Sequence, residues 1–252
     1  MRSVRLLAFA ALLAVVCCIA TDVDAQPKQQ DQIRVLLIAG DDVAPYHDWR
    51  EISEKTREVL VSSPRFDVKV CEEPLILESN TAIGRYDVIL LTMYNRAMPT
   101  ITGQAKENLL EFVKKGKGFY VQHLASASFS EWDEFGKLCG RKWVMGTSGH
   151  GPRGVFGAKI VKEHPITRGL KDFKIFDELY AKLQGDSPIE VLVSADSDWS
   201  KNTEPLVFTR SYGKGRCVHN AFGHDHKAIL DPNMKQLIRN GVEWAATGKV
   251  RD

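Results

Sequence analysis

The stretch Ile33-Arg34-Val35-Leu36-Leu37-Ile38-Ala39 is a nearly continuous apolar run that ends at Gly40. Such a run is typical of a strand that is buried on both faces, as in parallel sheets covered by helices. A helix is expected next, because Asp48 can cap its first turn. The apolar side chains of this helix fall on one stripe: Trp49, Ile52, Val59 and Leu60. The first unit of the chain is therefore a strand followed by a helix.

The same alternation continues to about residue 122. Strands are predicted at 66–71 and 86–91, a helix is predicted from Thr102 to Gly116, and a further strand is predicted at 118–122. This order of strands and helices calls for a parallel sheet with helices on both faces. The sequence thus predicts an α/β fold with three layers.

The second half of the chain is richer in strands. Four more are predicted, at 155–161, 189–195, 205–210 and 216–221. Residues 212–215 are typical of a hairpin turn between the last two strands. Asp231-Pro232 then begins a closing helix. We therefore expect a mostly parallel sheet that is extended by antiparallel strands.

The N-terminus has the pattern of a secretory signal peptide. Arg2 and Arg5 precede the uncharged run 6–20, and Val23-Asp24-Ala25 offers a small-x-small cleavage site. An apolar run of this length is short for a membrane span. A signal peptide over residues 1–25 is expected, with an uncleaved anchor as the alternative.

The remainder is expected to form one domain. A short tail at 26–32 leads into an α/β domain at 33–248, without repeats or low-complexity segments. No later segment is long and apolar enough to span a bilayer. The prediction is an exported protein, periplasmic or extracellular, with no stable membrane insertion after signal cleavage.

Composition and charge argue against several classes of function. The 252 residues include 34 Lys and Arg and 32 Asp and Glu, which gives a formal net charge of +2. The chain therefore lacks the large excess of basic residues that is typical of nucleic-acid-binding proteins. A G-x-G-x-x-G pattern at 149–154 contains Pro152 and precedes a predicted strand, which is the wrong context for dinucleotide binding. The sequence also lacks a phosphate-loop motif, an H-E-x-x-H zinc helix and a G-x-S-x-G hydrolase elbow.

The cysteines do not have the number or spacing of a disulfide framework. Without the predicted signal peptide three are left, Cys71, Cys139 and Cys217, and no C-x-x-C spacing occurs. Cys71 and Cys217 lie in apolar, strand-like runs, where a buried free thiol is the simpler interpretation. No disulfide is expected.

Histidines carry the stronger functional signal. Four of them follow predicted strand ends or lie in a glycine-rich loop: His47, His123, His150 and His224. Open α/β sheets bind their ligands at such places. Glu178 and Tyr180 also lie beside a predicted strand, whereas His164, His219 and His226 are expected to be structural, with His219 in an edge-like strand.

Several stretches together resemble one known family. They are Tyr46-His47-Asp48-Trp49, residues 118–129, Gly149-His150-Gly151, residues 164–170, Asp177-Glu178-Leu179-Tyr180, residues 212–216, Gly223-His224-Asp225 and residues 241–245. The chain resembles the ThuA-like (trehalose utilisation) family over roughly residues 33–247. The resemblance implies a flavodoxin-like, class I glutamine-amidotransferase-like three-layer sandwich.

This resemblance also implies a function in carbohydrate catabolism. True amidotransferases of this fold have a nucleophilic cysteine at a sharp strand-to-helix turn that exposes one side chain. His123 stands at that place here, so a glutaminase reaction through a thiolate is not expected. Family members are associated with disaccharide breakdown beside sugar dehydrogenases that make 3-keto-glycosides. The expected partner is therefore a small sugar substrate, and oligomeric state is left open.

A mechanism can be argued from the residues. A ketone at C3 of a sugar acidifies the C2 proton, and loss of that proton can expel the C1 substituent. His123 or His224 is the candidate base, with Asp225 or Glu178 orienting it or donating a proton. The candidate substrate-binding residues are His47, Trp49, Tyr94, His150 and Tyr180. The expected activity is hydrolysis or elimination of a glycoside.

Three alternatives stay open at this point. His47, His123, His150 and Glu178 could instead gather a divalent metal such as zinc, which accepts nitrogen and oxygen ligands. A non-catalytic carbohydrate-binding protein would use Trp49, Tyr94 and Tyr180 as platforms for sugar rings. A serine hydrolase would place Ser126 or Ser128 beside His123.

Overall fold

A sheet of nine strands forms the centre of the protein. The computed structural model describes residues 31–40, 46–95 and 100–251. Its strands are β1 (Ile33–Ile38), β2 (Phe66–Cys71), β3 (Val88–Leu91), β4 (Gly118–Gln122), β5 (Gly149–His150), β6 (Gly154–Ile160), β7 (Phe173–Asp177), β8 (Tyr180–Ala181), β9 (Glu190–Asp196), β10 (Thr203–Tyr212) and β11 (Gly215–Asn220). The helices are α1 (Trp49–Val61), α2 (Asn80–Ile83), α3 (Gly103–Lys114), α4 (Asp133–Cys139), α5 (His226–Ile229) and α6 (Pro232–Thr247).

The large sheet has a parallel half and an antiparallel half. Its strand order is β2-β1-β3-β4-β11-β10-β9-β6-β7, and the first five strands run parallel. The remaining strands each pair antiparallel with their neighbour, while β5 and β8 form a separate two-stranded sheet. This confirms the predicted fold class.

The side chains of β1 alternate between the two faces of the sheet, and helices pack on both faces, so the fold has three layers. Val35 and Leu37 belong to one hydrophobic cluster, together with buried side chains of α1 and α6. Leu36 and Ile38 belong to a second cluster, together with buried side chains of α3. Successive strand residues point to opposite faces of the sheet, and helices cover both faces. A ligand-binding site can therefore form at the edge where the strands end.

The predicted capping residues are confirmed. The Asp48 carboxylate accepts hydrogen bonds from the backbone N–H groups of Arg50 and Glu51 at the start of α1. Thr102 caps α3 in the same way, and the Asp231 carboxylate caps α6. His164 accepts a hydrogen bond from Ile166 N–H at 3.2 Å and so orders a turn. Each cap satisfies backbone donors that the first helical turn leaves without partners.

The position of β11 corrects one expectation. β11 lies between β4 and β10 inside the sheet, so His219 is not in an edge-like strand. The parallel partner of β11 comes from far earlier in the chain, and a local pattern cannot reveal it. His219 is buried, and burial lowers its pKa to about 4. The neutral ring packs against Phe208 in the core.

The three cysteines of the described residues are not joined by a disulfide. Cys139 and Cys217 are buried, and burial raises the pKa of both thiols, that of Cys217 to about 12. Such thiols are protonated and unreactive at neutral pH.

The predicted signal peptide at 1–25 lies outside the described residues, as does nearly all of the predicted tail. Within the part of the chain that the structure describes, none of the helices combines the length and apolar character needed to cross a bilayer.

An ion-pair network beside the amino ends of the parallel strands gives a testable pH dependence. Arg34 donates two hydrogen bonds to the Asp87 carboxylate at 2.8 and 3.0 Å, and Lys117 Nζ lies 3.1 Å from it. Partial burial raises the pKa of Asp87, but these cations outweigh it and hold the pKa at about 2. A carboxyl group with a depressed folded-state pKa stabilises the fold above its unfolded pKa, and that stabilisation is lost as the pH falls through the folded value.

Asp87→Asn should therefore lower the free energy of unfolding by about 1 kcal/mol at pH 7, after allowance for solvent screening. The difference from wild type should disappear between about pH 4 and pH 2. Urea denaturation at a series of pH values measures it, with exposed Asp186→Asn as the control. A constant difference over this pH range would contradict the assignment.

Candidate active site at the carboxyl edge of the sheet

A cavity of about 270 Å³ lies at the carboxyl ends of the parallel strands. It is lined by Tyr46, His47, Tyr94, Leu124, Ala127, Trp143, Met145, His150, Glu178 and Tyr180. His47 comes from the segment after β1, Tyr94 from the segment after β3, and Leu124 from the turn after β4. The site thus lies where open α/β sheets bind their ligands.

Four side chains converge beside this cavity. His47, His123, Glu178 and His224 each offer one nitrogen or oxygen atom, and these atoms lie within 4.8 Å of one another. We call these four residues the histidine–glutamate cluster. His47 and Glu178 also line the cavity, whereas His123 and His224 lie behind it.

One carboxylate oxygen is the centre of this arrangement. Oε2 of Glu178 lies 3.1 Å from Nδ1 of His224 and 3.5 Å from Nε2 of His123. Nε2 of His150, which lines the cavity, is 3.7 Å from the same oxygen. The structure therefore brings three of the predicted histidines, His123, His150 and His224, together around Glu178, and His150 lines the cavity.

The backbone at His123 is unusual. His123 directly follows β4, begins a short 3₁₀ turn and has a φ of +46°. This left-handed conformation is uncommon for residues other than glycine and is typical of strained functional sites. The side chain is only 2% exposed, because its ring stacks on Tyr180 with centroids 4.0 Å apart. The sharp turn is thus present, but the expectation that it exposes the side chain was wrong.

Because His123 has a positive φ, glycine should be more favourable than alanine for the stability of the fold at this position, the reverse of the usual order. His123→Gly should be more stable than His123→Ala by about 1 kcal/mol, because a left-handed φ penalises any Cβ. At Ala125, whose φ is not positive, Ala125→Gly should instead lower stability. Urea unfolding of the three variants tests both expectations. A His123→Ala variant that is more stable than His123→Gly would refute the expectation for position 123.

A buried acid that the sequence analysis did not single out, Asp177, joins the loops of the site. Its carboxylate accepts hydrogen bonds from the backbone N–H groups of Glu178, Gly223 and His224 at 2.9, 2.8 and 3.1 Å. Burial raises the pKa of Asp177, although these donors and the nearby His123 oppose the effect. The three bonds fix Glu178 and His224 relative to each other.

His150 is the most accessible of these imidazoles, with 36% of its side chain exposed. Its Nδ1 lies 2.7 Å from the carbonyl oxygen of Gly151. Since a carbonyl only accepts, Nδ1 carries the proton in this bond and Nε2 of the neutral ring keeps its lone pair. Tyr180 stacks on the His150 ring at 6.0 Å and fixes its plane. A proton acceptor is thereby held at the cavity wall.

The electrostatics of the cluster follow from burial and proximity. Burial, reinforced by His123 and His224, lowers the pKa of His47 to about 3. Burial alone would lower the pKa of His123, but Glu178 and Asp177 raise it above its usual value. Burial alone would raise the pKa of Glu178, but contacts with His123 and His224 hold it well below its usual range. Glu178 is therefore ionised at neutral pH.

Other predicted site residues lie elsewhere or have other partners. Trp49 packs against the hydrophobic core beneath the Arg50 guanidinium and does not line this cavity. Asp225 caps α5, and one of its carboxylate oxygens lies 2.8 Å from Arg153 Nη1. It does not belong to the histidine–glutamate cluster. Its place in orienting the loop is taken by Asp177.

Neither of the two candidate serines is placed to act in the cavity. Ser128 Oγ donates to the carbonyl oxygen of Met93. Ser126 is completely buried. Neither lines the cavity, and His123 Nε2 faces Glu178 instead. The arrangement offers no support for a serine nucleophile.

Trp143 is a cavity residue that the sequence analysis missed. Its ring lies 4.7 Å from that of Tyr180 and 6.1 Å from that of His150. It lies in the connection between α4 and β5, where no strand or helix pattern marks it. Its aromatic character was the only available signal.

Comparison with known proteins agrees with this architecture. A crystal structure of a ThuA-like protein from Parabacteroides merdae superposes with a TM-score of 0.74 and 27% identity, covering 88% of this chain and 92% of that one. A ThuA-like protein from Bacteroides uniformis gives a TM-score of 0.69 at 17% identity, with coverages of 86% and 94%. A β-galactosidase from Bacillus circulans shares the fold at a TM-score of 0.56 and 15% identity, over 84% of this chain but only 31% of that chain.

No match was found among curated proteins. The family model described as "Trehalose utilisation" matches residues 34–245, which include all four members of the histidine–glutamate cluster. The chain therefore belongs to the ThuA family, which is related to trehalose utilisation and carbohydrate metabolism.

Proposed function

We propose that this protein is an enzyme that cleaves a glycosidic bond at the carboxyl-edge cavity, by elimination or hydrolysis, with a 3-keto-glycoside as the preferred substrate. The observation that carries the proposal is the convergence of His47, His123, His224 and Glu178 beside a cavity that His150 also lines. Membership of a family related to carbohydrate metabolism supplies the substrate class. The N-terminal pattern favours a setting outside the cytoplasm.

The walls of the cavity suit a sugar ring. Tyr94 and Trp143 present aromatic surface, which packs against the C–H faces of sugars, whereas Tyr180 is 3% exposed and stacks on His123. Nitrogen and oxygen atoms of His47, His150 and Glu178 can bind hydroxyl groups. The volume of about 270 Å³ favours a single ring, so the second ring of a disaccharide would lie outside this cavity.

The chemistry requires one base and one site for negative charge. In an elimination, Nε2 of His150 takes the proton from C2, and the C–H electron pair forms an enolate with the C3 carbonyl. The enolate then re-forms the ketone, the C1–C2 double bond forms and the C1–O bond breaks, so that the leaving oxygen takes up a proton. Addition of water to the double bond completes a net hydrolysis. The enolate oxygen needs a positively charged group, which the histidine–glutamate cluster is placed to supply.

This assignment revises the predicted roles. His123 and His224 do not line the cavity and contact Glu178, so they are positioning residues. His150, predicted to bind substrate or a metal ion, takes the role of base because it lines the cavity and its Nε2 lies 3.7 Å from Oε2 of Glu178. Tyr94 keeps its predicted role in substrate binding, whereas Tyr180 is buried and supports the His123 ring.

A second candidate is a carbohydrate-binding protein without catalysis. The aromatic lining by Tyr94 and Trp143 favours it, since binding requires no more than such platforms. It predicts sugar affinity that survives replacement of His150. The buried ionised carboxylate among three histidines is costly to maintain and has no purpose in simple sugar binding, so we favour the enzyme.

The test is a turnover assay on matched sugars. Purified protein would be offered 3-keto-trehalose and 3-keto-glucosides beside the unoxidised forms, and release of the C1 leaving group would be followed. We expect cleavage of the keto forms and a loss of about 10²-fold or more in kcat/KM for His150→Ala. His164→Ala, a histidine outside the site, is the control. A folded, metal-supplemented protein that binds these sugars but cleaves none would refute the proposal.

A further inference from the structure

We infer that the histidine–glutamate cluster is a binding site for one divalent first-row transition-metal ion, of which zinc fits the donors best. The donor atoms are one nitrogen each of His47, His123 and His224 and Oε2 of Glu178. The inference deepens the proposed function and rests on it only for what the ion would do, not for its binding.

The orientation of His123 is that of a metal ligand. Its Nδ1 donates to the carbonyl oxygen of Ala221 at 2.7 Å, so Nε2 of the neutral ring keeps its lone pair. Metal-bound histidines typically donate their other ring nitrogen to a carbonyl or carboxylate, which fixes tautomer and ring plane. The left-handed backbone at His123 holds the ring in this orientation.

Three buried ligand atoms of the cluster face one another. Nε2 of His123, Nδ1 of His224 and Oε2 of Glu178 are buried, and none of the three makes a well-aligned hydrogen bond. Lone pairs that point together in a buried place are costly unless a cation lies between them. One proton can form a hydrogen bond between only one nitrogen and the carboxylate oxygen, whereas a divalent ion can bind all of these ligand atoms at once.

Two of the donor–donor distances match such an ion, and the cluster as a whole, whose donor atoms lie within 4.8 Å of one another, has to contract slightly around it. Bonds of about 2.0–2.1 Å to a tetrahedral zinc place neighbouring donors roughly 3.3 Å apart. The Glu178 oxygen lies 3.1 Å from His224 Nδ1 and 3.5 Å from His123 Nε2. Imidazole and carboxylate donors without thiolates suit zinc and its first-row neighbours better than calcium or magnesium.

The ion would be accessible to a substrate. His47 and Glu178 line the cavity, so one side of the cluster faces the proposed sugar position. Four protein ligands would fill a tetrahedral zinc site, so the sugar oxygen would have to enter from the cavity side as a fifth ligand, an expansion that catalytic zinc sites allow. A metal there supplies a Lewis acid for the sugar carbonyl oxygen, and His150, which is not one of the four proposed ligands, is left to move the proton.

The test measures metal without reference to activity. Purified protein is stripped with a chelator, incubated with Zn²⁺ or Co²⁺, dialysed and analysed by elemental mass spectrometry and visible absorption. We expect about one ion per chain, cobalt absorption bands and a zinc-dependent rise in Tm. His47→Ala and Glu178→Gln should each weaken binding by 10-fold or more, while His226→Ala, a histidine two residues from His224 but outside the cluster, should not.

Two results would overturn the inference. One is a folded wild-type protein that binds less than a tenth of an equivalent of either ion and shows no cobalt spectrum. The other is unchanged stoichiometry and affinity in both ligand variants, with circular dichroism confirming that they are folded. Full metal binding without sugar cleavage would instead refute the proposed function alone, and cleavage at an unchanged rate by metal-free protein would refute only the Lewis-acid role of the bound ion.

Discussion

Replacement of Glu178 by glutamine is expected to lower kcat/KM for glycoside cleavage by about 10³-fold. The amide has nearly the same shape, but it removes the charge that lies 3.1 Å from His224 and 3.5 Å from His123. It also replaces one carboxylate oxygen by an amide nitrogen, so the contacts of residue 178 with both imidazoles change. The orientation of both imidazoles and the charge of the cluster are lost together.

Steady-state kinetics on the cleaved sugar measure this effect. Glu131→Gln, at an exposed glutamate, is the matched control and should behave as wild type. Circular dichroism of Glu178→Gln should be that of the native fold, since the change adds no volume. A variant that keeps more than a tenth of the wild-type kcat/KM would show that chemistry does not depend on this carboxylate.

Asp177→Ala is expected to lower the free energy of unfolding by about 3–5 kcal/mol. The substitution leaves the buried N–H groups of Glu178, Gly223 and His224 without their acceptor. An unsatisfied buried donor costs about 1–3 kcal/mol, and partial relaxation toward water reduces the sum. The loop that contains His224 is then no longer tied to the end of β7.

Urea denaturation measures the loss, and Asp177→Asn is the comparison. Asparagine keeps one of the two oxygens, so it should retain part of the stability that alanine loses. Activity should fall in both variants, because Glu178 and His224 are positioned through these bonds. A loss below about 1 kcal/mol for Asp177→Ala would mean that the three donors find other partners.

The parallel half of the sheet was predictable because its signals are local. The apolar run 33–39 corresponds to β1 (Ile33–Ile38), and the single stripe of apolar residues corresponds to α1 with Asp48 as its cap. Periodicity and capping depend on neighbours within one or two turns, so one sequence contains them. β7 (Phe173–Asp177) was given no range, because it lies at the edge of the sheet and only two of its five residues are buried, so it shows no continuous apolar run.

The candidate site was predictable as a set of residues but not as an arrangement. All four members of the histidine–glutamate cluster were candidates, yet the expected metal ligands included His150 where the structure has His224. The difference arises because Asp177, at the end of β7, bonds to the loop after β11 although three strands lie between them in the sheet. No periodicity reports such a contact.

Trp49 shows the opposite limit. A tryptophan beside a candidate histidine is an attractive sugar platform, but its position at the start of α1 directs it to the core. Trp143, which does line the cavity, lies outside any regular element. Residue type alone could not distinguish the two.

The most direct measurement is proton NMR of a 3-keto-glycoside in D₂O with the purified protein and with buffer alone. The account predicts that release of the C1 group is accompanied by loss of the C2 proton, with deuterium at C2 in any product to which water has added, and that His150→Ala loses both the cleavage and the proton loss. Cleavage with the C2 proton fully retained would contradict removal of that proton by the protein. The absence of any cleavage or exchange by folded, metal-loaded protein would contradict the catalytic account as a whole.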